Sequence, residues 1–148
     1  MVDVGAKPES LREARARGAV VMRPSTLELV QRNALQKGDV LSVAKIAGIM
    51  AAKRTAELIP LCHPLPLTRV DLAFHLDADA GRLDIESMAR VTGRTGVEME
   101  ALTAVAAAAL TIYDMCKAVD RDMTITDIRL IEKRGGRSGT FRRPGETL

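Results

Sequence analysis

Three short groups of residues carry polar side chains where helix or strand packing gives no reason for them, and the first group is the segment Leu61, Cys62 and His63. Pro60 and Pro64 enclose this segment and restrict its backbone. A neutral imidazole held in this way can donate or accept a proton near physiological pH. The simpler alternative is a loop histidine that bonds only to backbone. A zinc site is a third alternative, but the sequence has no further ligands at zinc-binding spacing, so we predict no metal.

The second group is Glu98, Met99 and Glu100, at the start of a long alanine-rich segment that predicts a helix. Acidic side chains in the first turn of a helix stabilise it through the helix dipole. Glu98 also lies three residues after Thr95, which is the spacing of a capping box. Glu100 is not needed for that box, and this makes it the stronger candidate for a functional carboxylate.

The third group contains Asp114 and Lys117 near the other end of the same helix, where a spacing of three residues places them on neighbouring parts of its surface. One interpretation is an exposed ion pair that contributes little to stability. The other is a carboxylate that tunes an amine for proton transfer. Lys37 in a Lys-Gly-Asp turn, Lys53 and Arg12 are further cations, which are either simply solvated or used to bind an anion.

The periodicity of apolar residues predicts the elements that must position these groups. Residues 19–22 predict a short strand that follows an irregular arm, 1–18. A capping box at Ser25 and Glu28 predicts a helix that ends at Gly38, and Asp39 is the predicted N-cap of a second helix that continues to Leu58. The remaining predictions are a loop at 60–66, hairpin strands at 70–76 and 83–91, a helix at 95–118 and a strand at 123–132 with a bulge between residues 125 and 128.

This order of elements is typical of an α+β, ferredoxin-like sandwich, in which helices cover one face of a four-stranded antiparallel sheet. The length of 148 residues fits a single catalytic domain, 1–148. The basic, glycine-containing tail at 133–148 is predicted to be flexible or ordered by a ligand, because five Lys and Arg residues and no acid occur at 133–143.

The sequence predicts a cytoplasmic protein without a membrane span. Its longest uncharged apolar run, 101–113, is shorter than a bilayer requires, and charged residues interrupt the first 13 positions, where a secretory signal would need an apolar stretch. The two cysteines are too few for a disulfide framework, and we predict that both are reduced.

Seven sets of short strings occur along the chain in the following order: Met1-Val-Asp-Val with Arg12-Glu-Ala-Arg15, Lys37-Gly-Asp39, Ala44-Lys-Ile-Ala-Gly-Ile49 with Ala51-Ala-Lys-Arg54, Leu58-Ile-Pro-Leu-Cys-His-Pro-Leu65, Thr92-Gly-Arg-Thr-Gly-Val-Glu-Met-Glu-Ala-Leu-Thr103, Tyr113-Asp-Met-Cys-Lys-Ala118 and Lys133-Arg-Gly-Gly-Arg-Ser-Gly139. Each string alone is a weak signal. Together they resemble the cyclic pyranopterin monophosphate synthases of molybdenum-cofactor biosynthesis over most of the chain.

The resemblance implies a metal-independent lyase, of the phosphorus-oxygen type, that needs no cofactor. Its substrate would be a cyclised dihydro-GTP supplied by a partner radical enzyme, and its products would be cyclic pyranopterin monophosphate and diphosphate. The resemblance also implies a homohexamer built as a trimer of dimers, and it implies no nucleic-acid partner.

The resemblance further assigns roles to individual residues. The catalytic residues would be Asp114, Lys117 and Lys37. The substrate-binding residues would be Leu61, Cys62, His63, Glu98, Met99, Glu100, Lys53 and Arg12. Because Glu100 and Asp114 are fourteen residues apart on one predicted helix, roughly 21 Å would separate them along its axis. We therefore predict an active site shared between subunits.

Two other functions fit the fold class. An RNA-binding module of this architecture would stack bases on aromatic residues of its sheet, but Phe74 is the only aromatic residue in a predicted strand. A regulatory domain that senses a small molecule would explain a pocket but not seven ordered matches to one family. Detection of diphosphate release from the cyclised GTP would separate these alternatives.

Overall fold

The computed structural model describes residues 1–147. Its elements, in chain order, are β1 (Ser10–Val21), α1 (Pro24–Gln31), α2 (Val40–Lys53), α3 (Thr55–Leu58), β2 (Arg69–Asp77), β3 (Arg82–Gly93), α4 (Glu98–Cys116), β4 (Thr124–Arg134) and β5 (Phe141–Arg142). The predicted hairpin is confirmed as β2 and β3, which pair in antiparallel register.

All five strands of residues 1–147 form one antiparallel sheet in the order β2-β3-β1-β4-β5. The predicted α+β class and antiparallel sheet are confirmed. The predicted count of four strands is wrong, because the two-residue strand β5 pairs with the end of β4. Helix α4 packs on β1, β3 and β4, and α2 packs on α4 and on β2.

Strand β1 begins nine residues earlier than predicted, at Ser10, so the irregular arm ends at residue 9 rather than 18. On the side of the hydrophobic core its residues are small, and Ala14 and Ala16 are fully buried there. A Cβ atom at Gly18 would lie only 2.7 Å from Val105 Cγ1 of α4. Strand and helix therefore approach each other more closely than larger side chains would allow.

The other side of β1 carries charged residues at its centre, at positions 13, 15 and 17. Arg15 Nη1 and Arg17 Nε donate to the two carboxylate oxygens of Glu86 at 3.2 and 2.7 Å. Glu132 on β4 is also buried, and its Oε1 accepts hydrogen bonds from neighbouring arginine side chains. One face of the sheet thus packs against helices, while the other carries a layer of ion pairs.

The helix starts agree with the predictions only in part. Asp39 is confirmed as the N-cap of α2, because its side chain accepts from Ser42 N at 3.0 Å. The two predicted capping boxes are wrong, since neither α1 nor α4 has a side-chain hydrogen bond from its own N-cap residue. Helix α1 also ends at residue 31 instead of 38, and the predicted helix 39–58 is divided between α2 and α3.

Helix α4 is the central helix of the fold. Within residues 1–147 it alone is long and apolar enough, by length and composition, to cross a membrane. Half of this segment is nevertheless buried inside the protein, and the buried side includes Ala101, Ala104, Val105, Ala108 and Ile112. This is the pattern of a core helix of a globular domain.

Strand β4 contains the predicted bulge. Its pairing with β1 shifts by one residue between Arg129 and Thr126, and Asp127 there adopts a positive φ of 58°. The strand continues to residue 134, so the basic tail begins inside the sheet. Gly135 and Gly136 then turn the chain with positive φ angles of 93° and 76° toward β5.

Candidate active site

A carboxylate held between two lysines lies at the C-terminal end of α4. Lys37 Nζ donates to Asp114 Oδ2 at 2.6 Å, and Lys117 Nζ donates to Asp114 Oδ1 at 2.7 Å. Lys37 reaches this point from the turn between α1 and α2, 77 residues away in sequence. The structure therefore brings together all three residues that the sequence analysis selected as catalytic.

The two ammonium groups control the ionisation of Asp114. Hydrogen bonds from Lys117 and Lys37 lower the pKa of the Asp114 carboxyl to about 2. Asp114 is consequently an anion at neutral pH. All three side chains are about half exposed, so a substrate can reach them from solvent.

A second cluster lies at the N-terminal end of α4. Leu61, Cys62 and His63 of the proline-rich loop line a cavity of about 180 Å³ together with Glu98, Met99 and Glu100. The loop supplies one wall and the first turn of α4 supplies the other. All six residues predicted for substrate binding from these two segments thus share one cavity.

Two groups in this cavity are less ionisable than usual. Glu100 is 4% exposed, and burial raises the pKa of its carboxyl. Burial and the nearby Glu100 charge raise the pKa of the Cys62 thiol. Cys62 is a free thiol, as predicted. Burial disfavours the charged form of both groups, and the Cys62 thiol can donate a hydrogen bond to a polar ligand.

His63 contacts the N-terminal arm. Its Nε2 lies 2.8 Å from the carbonyl oxygen of Val2, so the ring is a donor to that backbone group. Arg94 Nη1 holds the same arm through the carbonyl oxygen of Gly5 at 2.6 Å. Arg94 was not among the predicted site residues, because an arginine in a glycine-rich turn gives no local signal of the distant arm that it binds.

Arg12 lines a larger cavity of about 530 Å³, formed by the N-terminal arm, the start of β1, the turn before α4 and the basic tail. Its guanidinium donates to the carbonyl oxygens of Gly93 and Arg94 at 3.2 and 3.3 Å and makes no ion pair with any of residues 1–147. Six basic residues line this cavity: Lys7, Arg12, Arg94, Lys133, Arg134 and Arg137. Because Glu13 and Glu98 are the only acids in its lining, the cavity suits an anionic ligand.

Lys53 lines a third cavity, of about 340 Å³, that also reaches Glu100. The three cavities adjoin. Glu98 belongs to the linings of the cavities of about 180 and 530 Å³, and Glu100 to those of the cavities of about 180 and 340 Å³. All eight predicted substrate-binding residues therefore lie along one continuous surface at the N-terminal end of α4.

Within one chain, this surface and the lysine pair with Asp114 are at opposite ends of α4. Glu100 and Asp114 are fourteen residues apart on this single uninterrupted helix, which corresponds to about 21 Å along its axis. The two clusters are thus too far apart to contact one small molecule from the same chain.

The fold and the site define a small α+β enzyme with a basic, multi-part cavity. The chain belongs to the MoaC family, whose family model matches residues 1–136. Curated relatives named cyclic pyranopterin monophosphate synthase include that of Pelotomaculum thermopropionicum, 61% identical over 99% of this chain and 86% of the relative. The relative from Thermomicrobium roseum is 65% identical over 97% of this chain and 86% of the relative. The relative from Chloroflexus aurantiacus is 64% identical over 97% of this chain and 88% of the relative.

Proposed function

We propose that this chain forms cyclic pyranopterin monophosphate from a cyclised dihydro-GTP, with release of diphosphate, in molybdenum-cofactor biosynthesis. Membership of the MoaC family and identities of 61–65% to three synthases over nearly the whole chain support this function. The observation that carries the proposal is the arrangement of Asp114 between Lys37 and Lys117. The experiment that tests it is incubation of the purified protein with the cyclised GTP, followed by detection of diphosphate and of the pterin product.

Formation of a cyclic phosphate from a triphosphate requires a hydroxyl group to attack the α-phosphorus while diphosphate departs. A proton must leave the hydroxyl, and negative charge develops on the departing oxygens. Both lysines donate to Asp114 as ammonium groups. An ammonium group can give a proton to the departing diphosphate, and the amine that this leaves can accept the proton of the hydroxyl, so the lysine pair can fill both roles. Asp114, ionised because its pKa is about 2, orients both lysine groups and offsets their charge. This lyase chemistry uses side-chain acids and bases, and we propose that it needs neither a metal nor a cofactor.

The basic cavity around Arg12 is the proposed site of the triphosphate. Its six cations offset the charge of several phosphate groups. The neighbouring cavity of Leu61 to His63 and Glu98 to Glu100 would then hold the cyclised base and sugar, where the Cys62 thiol and the Glu100 carboxyl can form hydrogen bonds with polar groups of the substrate. Lys53, beside Glu100, adds a further cation.

We propose that each active site contains residues of two subunits. Fourteen steps of 100° bring Glu100 and Asp114 within about 40° of the same direction on α4. Two such helices packed antiparallel about a two-fold axis would place Glu100 of each chain near Asp114 of the other, which gives two equivalent sites per dimer. Exposed apolar residues of α2 and α4, Val43, Ile46, Met50 and Leu110, offer surface for subunit contacts. The family resemblance extends this dimer to a homohexamer, a trimer of dimers.

Subunit mixing tests the shared site. Glu100→Ala and Lys117→Ala are each expected to be inactive, and mixed dimers formed after subunit exchange should regain one intact site. Asp71→Ala serves as the control variant, because Asp71 forms an exposed ion pair with Arg69 at 2.5 Å, outside all the residues assigned to the site. No recovery of activity despite proven exchange would show that each site belongs to one chain.

The remaining parts of the proposal concern setting and architecture. We propose a cytoplasmic enzyme that receives its substrate from a radical enzyme and binds neither membrane nor nucleic acid. Phe74 packs against the hydrophobic core, which makes it unsuitable for stacking RNA bases. The order of β1 to β4, with helices between β1 and β2 and between β3 and β4, supports a ferredoxin-like sandwich to which β5 is added.

A further inference from the structure

Asp120 is a buried carboxylate that the reaction as described does not use. It lies in the turn after α4 and is 2% exposed. Its Oδ2 accepts hydrogen bonds from the backbone N–H of Arg23 and from Thr26 Oγ1, both at 2.9 Å. Burial opposes ionisation of Asp120, but the hydrogen bonds from Arg23 and Thr26 outweigh it and hold the pKa of this carboxyl below its usual value.

These contacts cap α1 from another part of the chain. Arg23 is the N-cap residue of α1, and its own side chain makes no cap hydrogen bond. Asp120 accepts from the backbone N–H of this N-cap residue and places a negative charge at the positive end of the helix. The Arg23 side chain in turn donates to the carbonyl oxygen of Val119, so the link is made from both sides.

The same two segments carry the catalytic lysines. Helix α1 ends at residue 31, and the chain then reaches Lys37, while the turn after α4 contains Lys117 and ends at Asp120. The two segments are joined at two places. The first link is the ion pair of Lys37 with Asp114, and the second is the pair of hydrogen bonds that Asp120 accepts at the start of α1. The first link is half exposed and the second is buried. Because exposed ion pairs contribute little to order, the buried link contributes more to the relative position of the two segments than the pair of Lys37 and Asp114 does.

We infer that Asp120 is a positioning residue for this site. It holds the turn that carries Lys117 against the helix that leads to Lys37, and it thereby sets the separation of the two ammonium groups on either side of Asp114. This inference rests on the proposed function for its kinetic consequence, but its geometric consequence can be measured without substrate.

The test compares two substitutions of Asp120. Asp120→Ala removes the acceptor, whereas Asp120→Asn keeps an oxygen that can accept from Arg23 N and Thr26 Oγ1. We expect Asp120→Ala to lower kcat between about 10- and 100-fold, because small displacements of catalytic groups have effects of this size. KM should change less than about twofold, since Asp120 lies outside the substrate-binding surface. Asp120→Asn should restore most of the wild-type kcat.

The control is Ser87→Ala. Ser87 is fully buried, and its hydroxyl donates to the carbonyl oxygen of Ala101 at 2.7 Å, near the opposite end of α4. This variant also loses a buried hydrogen bond to α4, but at the end of the helix that carries Glu100, so the titration of Asp114 in the same chain should remain that of the wild type. Thr26→Val provides a milder variant if Asp120→Ala does not fold, and it should lower kcat in the same direction.

A substrate-free measurement completes the test. A carboxyl NMR titration should give Asp114 a pKa of about 2 with both lysines in place, a higher pKa in Asp120→Ala and a return to the wild-type value in Asp120→Asn. The inference would be overturned if folded Asp120→Ala had an unchanged Asp114 titration and the wild-type kcat. If Asp120→Ala does not fold, the same two results in Thr26→Val would overturn it. The inference would also be overturned if Asp120→Ala lowered kcat no more than Ser87→Ala does. A wild-type protein inactive on the cyclised GTP would instead refute the proposed function and leave the titration to decide the role of Asp120.

Discussion

Replacement of Gly48 by alanine should destabilise the protein, although alanine is the better helix former. Gly48 is buried in α2 at the place where this helix packs on α4. A Cβ atom there would lie 2.6 Å from Leu72 Cδ2 and 2.8 Å from the backbone oxygen of Ala104. Leu72 can rotate away, but the carbonyl group of Ala104 belongs to α4 and cannot.

The size of the effect follows from two opposing contributions. Alanine in the interior of a helix is favoured over glycine by about 1 kcal/mol. Ordinary van der Waals contact begins at 3.4 Å, so α2 must move about 0.6 Å away from the Ala104 oxygen. Overpacking of this kind costs about 1–3 kcal/mol. The free energy of unfolding should therefore fall by up to about 2 kcal/mol instead of rising by about 1 kcal/mol.

Urea unfolding of Gly48→Ala and the wild type measures this difference, with the slope of free energy against urea compared between the two. Ala47→Gly, at the adjacent position of α2, calibrates the helix-forming difference between the two residues in this helix. A Gly48→Ala protein more stable than the wild type, with an unchanged slope, would refute the close contact of α2 and α4.

Lys117→Ala should raise the pKa of Asp114 from about 2 toward the ordinary value of 3.8. At pH 3 the ionised fraction of this carboxyl should therefore fall from about 90% toward about 14%, and a carboxyl NMR titration measures this change. Because the pKa of Asp114 is depressed, its ion pairs contribute stability above pH 3.8 that is lost as the pH falls through about 2. In acid unfolding, the free energy of unfolding of Lys117→Ala should therefore fall less over this pH range than that of the wild type. Lys37→Ala should abolish turnover while the fold is retained, and near-normal product formation would reduce Lys37 to a solvated loop charge. His63→Ala should weaken substrate binding more than folding, because its contact with Val2 joins the arm to the cavity wall; unchanged affinity in a binding titration would contradict this role.

Regular alternation made the hairpin of β2 and β3 predictable, but the first half of β1 could not be recognised. Alanine and glycine have low strand propensity, so the pattern at residues 14–18 did not indicate a strand. Those small residues are present because α4 packs directly on them, a contact about ninety residues away in sequence. Local pattern thus failed where tertiary packing determined the choice of residue.

The start of α1 was predicted incorrectly for a similar reason. Ser25 and Glu28 have capping-box spacing, but the helix begins at Pro24 and is capped by Asp120, 97 residues beyond Arg23. The candidate site residues were selected through the resemblance of seven ordered strings to one family, since each string alone is a weak signal, and their roles stay predictions. Their division between the two ends of α4 also followed from helix geometry alone, since both ends lie on one uninterrupted helix.

Helix α4 also restricts how the length of the chain can change. One residue inserted between Glu100 and Asp114 would lengthen the spacing of the two clusters by about 1.5 Å and rotate one relative to the other by about 100°. Seven inserted residues would nearly restore the direction, at 20° short of two turns, but would add about 10.5 Å. No insertion preserves both quantities. The turn between β2 and β3, at residues 78–81, sets no such relation, so insertions and deletions should be tolerated there and excluded from this helix.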